Sequence, residues 1–170
     1  MAKALFILAP NGFRDEEFFE PKEVLESRGH QCYTASVADS CQGKLGAVVM
    51  PDFHVKEINL DDFDVIILVG GPGAPELANY PEVMNLIKAA KLASKNIAAI
   101  CIAPTLLAKA GVVEGKQVTV FPDHDARMLM THKGKAIFVD RPVVVDGNLI
   151  TANGPDAARE FGERIAEMLS

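Results

Sequence analysis

Cys101 is the side chain best placed by type and context to do covalent chemistry in this chain. It closes the apolar run "NIAAIC" and precedes "IAPTLL", a run of helical character. A thiol in such a setting is ordinarily a small, inert hydrophobe. A thiol at a strand-to-helix corner is instead pushed outward and faces the positive end of a helix, which favours the thiolate. Pro104 suits a first helical turn, so on this second reading a helix begins within a residue or two of the sulfur. Spacing alone leaves both readings open.

Glu17 stands in "RDEEFFEP". Charged residues after a first strand usually form a solvated loop, and Arg14, Asp15 and Glu16 are expected there. Phe18 and Phe19 follow Glu17 and draw it inward. A carboxyl turned into an apolar cleft keeps its proton and can donate a hydrogen bond to a thiolate. In "VGGPGAPE", Gly70 and Gly71 follow a strand but fit neither a dinucleotide fingerprint nor a P-loop with its Lys-Ser/Thr. Either they make a tight turn, or the Gly71 amide joins the Ile102 amide as an oxyanion pair. None of the four histidines adjoins Cys101 in sequence. His30 is expected on the surface, and His124 either starts a helix in solvent or reaches the crevice from a strand end. No Cys/His cluster has metal-ligand spacing, so no metal or other cofactor is expected.

The elements that must position these groups alternate. "ALFILA", "DVIILVGG" and "IAAIC" are continuous apolar runs, as strands buried on both faces require. "QCYTASV", "AVVM" and "QVTVF" read as further strands, and "PVVVDGNLITA" as a hairpin turning at Asp146–Gly147. Helices are expected over "EPKEVLESRG", with Pro21 in the first turn and Gly29 as the stop, and over residues 80–96, where Val83, Leu86, Ile87, Ala90 and Leu92 form a stripe. Others follow in "PTLLAKAG", "DHDARMLMTHKG" and "PDAAREFGERIAEML". Such alternation predicts a mostly parallel sheet with helices on both faces, and ligands at the carboxyl ends of its strands. The segments carrying Glu17, Gly70–Gly71 and Cys101 all fall at such ends and are expected to converge.

The 170 residues suit one domain, 1–170, large enough to need no staples. A net charge of −6 with scattered basic residues argues against nucleic acid. No apolar run reaches the roughly 20 residues that cross a bilayer. "MAKALFILAP" reads as a first strand rather than a signal peptide. Cys32, Cys41 and Cys101 are an odd set of reduced thiols, which points to the cytoplasm.

Taken in order, "LFILAPNGFRDEEFFEP", "FDVIILVGGPGAPE", "AAICIAPTLLAKAGV" and "DGNLITANGP" resemble the ThiJ/PfpI superfamily along essentially the whole chain. The resemblance implies a flavodoxin-like α/β/α sandwich with a reactive cysteine, Cys101, at a strand-to-helix elbow and Glu17 hydrogen-bonded to it. It maps the glycine pair on Gly70 and Gly71. It maps on Glu76 a residue that orients a histidine in the protease-like branch, and it implies a homodimer or larger homo-oligomer. The chain departs from that branch where a histidine should follow the cysteine, because Ile102 stands there; the histidine-proline pair of another branch is Phe121–Pro122. A Cys–His triad therefore cannot be assembled from the expected positions, and peptidase activity is not expected. The related glutamine amidotransferases use a C-terminal histidine that the closing segment lacks.

Three functions remain on the sequence. The first is a thiol-based stress or redox-responsive protein in which Glu17 stabilises Cys101 and its sulfinate. The second is a glyoxalase, deglycase or hydrolase acting on small carbonyl compounds through Cys101 and Glu17. The third is a binding or scaffold protein with an incidental thiol. The small-molecule partner is accordingly a carbonyl compound or an oxidant.

Overall fold

The computed structural model describes residues 1–170. In chain order its strands and helices are β1 (Lys3–Ile7), β2 (Asn11–Phe13), α1 (Asp15–Ser27), β3 (Gln31–Ser36), β4 (Cys41–Gly43), β5 (Val48–Val49), β6 (Phe53–His54), β7 (Val65–Leu68), α2 (Pro81–Leu92) and β8 (Asn96–Ile100). They continue with α3 (Pro104–Lys109), β9 (Gln117–Val118), α4 (His124–Met128), β10 (Ile137–Phe138), β11 (Val143–Asp146), β12 (Leu149–Ala152) and α5 (Ala158–Met168). Seven strands form one sheet in the order β11-β12-β8-β7-β1-β3-β6. Every neighbouring pair is parallel except the hairpin β11–β12. The central run β3-β1-β7-β8-β12 is the flavodoxin-like order, and it reverses direction across β1 and β7.

The reason lies in the runs themselves. β7 is buried at every position, as are the last four residues of β1 and of β8. Such strands are stable only with a layer on each face. Two apolar clusters supply those layers. One gathers Leu77, Val83, Leu106 and Leu107 with the odd-numbered side chains of β1, Leu5 and Ile7. The other gathers Phe18, Leu25, Phe161 and Ile165 with Ala4 and Phe6. Alternate residues of one strand thus enter opposite cores, as the pleat dictates. No helix is long and apolar enough to cross a membrane.

Several elements differ from expectation. The first helix begins at Asp15, so Pro21 lies inside it rather than in its first turn. Pro21 lacks the N–H that would bond the Glu17 carbonyl one turn back. Arg14, Asp15 and Glu16 are not a solvated loop. Asp15 is buried, and its carboxylate accepts from the Leu45 and Ala47 amides at 2.8 and 3.0 Å. Leu92 is 87% exposed, two residues past Ala90 and therefore off the buried stripe of α2. The run "QVTVF" pairs only over Gln117–Val118, because the next amide, Thr119, donates to the Thr151 hydroxyl at 2.9 Å instead of a strand. The helix expected after Asp123 is α-helical only to Met128 and widens into a π turn over Leu129–Lys133.

Candidate functional site

Three chain segments meet at the carboxyl ends of β1, β7 and β8. Cys101 follows β8 directly and takes φ +65°, a left-handed conformation that is rare and strained for a residue with a Cβ. The elbow is held from both sides. The Cys101 amide donates to the Ala152 carbonyl at 2.9 Å, and its own carbonyl accepts from Phe121 at 2.8 Å. One residue on, the Ile102 carbonyl accepts from the Thr105 hydroxyl at 2.6 Å. This network over-determines the turn and aims the thiol away from the strand. α3 begins at Pro104, the first residue of the run "PTLLAKAG".

Glu17 lies in the first turn of α1 and is 0% exposed. Phe18 packs edge-on against Phe6 and Phe13 and pins that turn to the sheet. The carboxyl reaches the Cys101 thiol through the space left by Gly70. A Cβ on Gly70 would stand 2.5 Å from a Glu17 carboxyl oxygen, 2.5 Å from the Ile100 carbonyl and 2.7 Å from the Cys101 Cβ. Only glycine admits that approach. Gly71 has φ +110°, and a Cβ there would strike the Arg14 amide and the Gly12 carbonyl. The Gly70 carbonyl accepts from the Arg14 amide at 2.9 Å, which ties the glycine corner to the start of α1.

Burial raises the Glu17 carboxyl from 4.5 to about 7, against the pull of the thiol, of Arg14 and of the Gly70 amide. Neither carboxyl oxygen completes a hydrogen bond, so these neighbours are near enough to favour the carboxylate without compensating its loss of water. Burial also pushes the Cys101 thiol up to about 12, with the Glu17 charge as the next cause, while the Ile102 and Gly71 amides draw it down. The expected depressed thiol is thus overturned. The two amides do face the sulfur, and neither donates to a backbone carbonyl, but desolvation outweighs them. The direction common to both groups is clear: this crevice resists a second negative charge, and thiol and carboxyl share at most one.

A cavity of about 290 Å³ opens onto the pair. Beyond Cys101, Glu17, Gly71 and Ile102, its wall carries Arg14, Lys44, Pro72, Pro75, Phe121 and Pro155. Of these, Arg14 and Lys44 were not legible as site residues; the only signal for Arg14 was its place three residues before Glu17. His124 is exposed at the start of α4 and is not on the wall, nor is any other histidine. His30 receives the Ala2 amide at 3.0 Å and His54 caps a short turn. Glu76 is exposed on a 3-10 turn, off the cavity wall and without an ion pair. Of the other thiols, Cys41 is buried and Cys32 half-buried, and burial raises both. No group of His, Cys, Asp and Glu side chains could hold a metal ion. A larger depression of about 380 Å³ at the amino ends of the strands, beside Asp64, Lys95 and Met168, has no cysteine or histidine on its wall.

Fold and crevice define a doubly wound α/β protein with a thiol and a carboxyl brought side by side at the carboxyl ends of its central strands. The chain belongs to the DJ-1/PfpI family, whose family model matches residues 2–168. Its structure resembles the crystal structure of Drosophila melanogaster DJ-1beta with a TM-score of 0.89 at 35% identity, covering 99% of this chain and 90% of that one. It is 33% identical over 167 residues to a glutathione-independent glyoxalase of Caenorhabditis elegans, covering 98% of this chain and 88% of that protein. It is also 33% identical over 154 residues to the deglycase PfpI of Pyrococcus furiosus, covering 90% of each.

Proposed function

We propose that the protein is a cysteine-dependent enzyme acting on small α-oxoaldehydes, in the manner of a glyoxalase. The observation that carries this reading is the enclosed pair: a thiol beside a carboxyl whose pKa, at about 7, suits proton transfer in both directions near neutral pH. A thiol sensor needs a standing thiolate, and burial works against one at Cys101. An enzyme needs the thiolate only as the sulfur attacks, with the base alongside.

In this reading the Cys101 sulfur adds to the aldehyde carbon while Glu17 passes the thiol proton to the carbonyl oxygen. The product is a hemithioacetal. Glu17 then takes the proton from that carbon and returns it to the neighbouring carbonyl carbon. The hydroxyl proton of the hemithioacetal passes to the neighbouring oxygen, so the former aldehyde carbon is oxidised to a thioester and its neighbour reduced to an alcohol, and no external oxidant is needed. The Ile102 and Gly71 amides supply donors for the oxygen that gains charge. Water cleaves the thioester, releasing a 2-hydroxy acid and the thiol. None of these steps calls for an imidazole, which fits the wall of this cavity. The name of one relative, a glutathione-independent glyoxalase, supports this class of substrate.

The test is methylglyoxal turnover, followed as lactate released. Wild type is expected to turn over, Cys101→Ser to be inactive, and Glu17→Gln to lose about a hundredfold or more in kcat. No turnover by the folded wild type, or turnover that survives in Cys101→Ser, overturns the proposal.

A further inference from the structure

The cavity wall holds one cation without a counter-charge. The Arg14 guanidinium is engaged as a fork by both carboxylate oxygens of Glu16, at 2.9 and 3.0 Å. Lys44 lines the same wall and forms no ion pair. Its side chain is exposed, but its backbone is fixed. The Lys44 amide donates to the Phe13 carbonyl at 2.8 Å, and the residues after it are clamped by the buried Asp15 carboxylate through the Leu45 and Ala47 amides. The Gly43 amide closes the same turn onto the Ala47 carbonyl at 2.7 Å. A buried carboxylate is thus spent on holding a turn whose one cationic side chain borders the thiol cavity.

The remaining wall is apolar. Pro72, Pro75, Ile102, Phe121 and Pro155 offer no side-chain partner to a neutral polar substituent. A methyl group placed there gains only apolar contact, whereas a carboxylate gains a charge-assisted hydrogen bond from Lys44 at the rim. Glu16 does not oppose it, since Arg14 neutralises that charge. The volume of about 290 Å³ lies at the lower end of ordinary ligand pockets, and it exceeds methylglyoxal several times over.

We infer that Lys44 is a specificity-determining residue that binds a carboxylate carried by the substrate, so that anionic α-oxoaldehydes are preferred over neutral ones. This rests on the glyoxalase reading for its reaction, but not for its binding geometry. The aldehyde end reaches Cys101 and Glu17, and the acid end lies toward Lys44.

Two ratios test it. The first is kcat/KM for γ,δ-dioxovalerate, which carries a carboxylate, over kcat/KM for methylglyoxal. It should exceed one, fall with added salt, fall about tenfold in Lys44→Met and recover in Lys44→Arg, because one hydrogen bond to a charged group is lost and regained. The second needs no turnover: the rate of Cys101 alkylation by iodoacetate over that by iodoacetamide, read by intact mass. Thiol ionisation enters both rates equally and cancels. This ratio should also fall in Lys44→Met and recover in Lys44→Arg. If neither aldehyde is turned over, the glyoxalase reading fails and the alkylation ratio alone decides on Lys44. Turnover of methylglyoxal with both ratios unmoved by Lys44→Met overturns the inference and leaves that reading standing.

Discussion

Glu17→Gln should flatten the pH dependence of stability around neutrality. In the folded protein burial raises the Glu17 carboxyl to about 7, whereas the unfolded chain returns it to 4.5. A raised acid favours the protonated folded form. Stability is therefore fully present below 4.5, declines as pH rises between 4.5 and about 7, and stays reduced above. At 1.36 kcal/mol per pH unit the displacement corresponds to about 3 kcal/mol, and full burial of the side chain leaves no surface screening to discount. Glutamine is neutral throughout and close in shape. The variant should match wild type near pH 4.5 and exceed it by about 3 kcal/mol at pH 8. Urea unfolding at a series of pH values, followed by far-UV circular dichroism, reads this directly. Cys101 and Arg14 face the carboxyl and titrate far above that window, so they do not mimic the effect. Parallel stability profiles for Glu17→Gln and wild type would refute the argument that desolvation governs this group.

Three other outcomes follow from the same geometry. Gly70→Ala forces a methyl group to 2.5 Å from the Ile100 carbonyl; it should destabilise the fold by about 1–3 kcal/mol in thermal melts, and a neutral result would mean the corner can shift. Limiting iodoacetamide should modify Cys101 before Cys32 and Cys41, since only Cys101 lines the cavity; peptide mapping that finds Cys32 labelled first contradicts this. Ile102→His puts an imidazole on the wall beside the sulfur, and the thiol pKa should fall markedly as an ion pair forms; thiolate absorbance measured against pH checks it, with an unmoved curve the contrary result.

Much of this molecule was legible before any coordinates. "VIIL" and "ALFI" announce buried parallel strands because a strand covered on both faces must be apolar at every position, and that demand is written locally. The convergence of Glu17, Gly70 and Cys101 follows from a topological rule, since strand ends in a doubly wound sheet lie side by side. The lack of a histidine after the cysteine can likewise be read directly from "CIAP".

What tertiary structure alone decided is the electrostatics. The helix start near Cys101 suggested a lowered thiol, and the Ile102 and Gly71 amides do face it, yet the thiol is raised. Desolvation is summed over everything packed around a group, and those atoms come from β7, β8, α1 and the glycine corner, far apart in sequence. Asp15 makes the same point. Within "RDEE" it looks like its neighbours, and only the arrival of the Leu45 and Ala47 amides makes it a buried clamp. Lys44 has no local mark at all: it reaches the cavity because a turn from β4 to β5 is tied to the start of α1 by long-range hydrogen bonds. Periodicity fixes which face of an element is buried, but which charges meet inside the crevice depends on contacts between segments that no local pattern encodes.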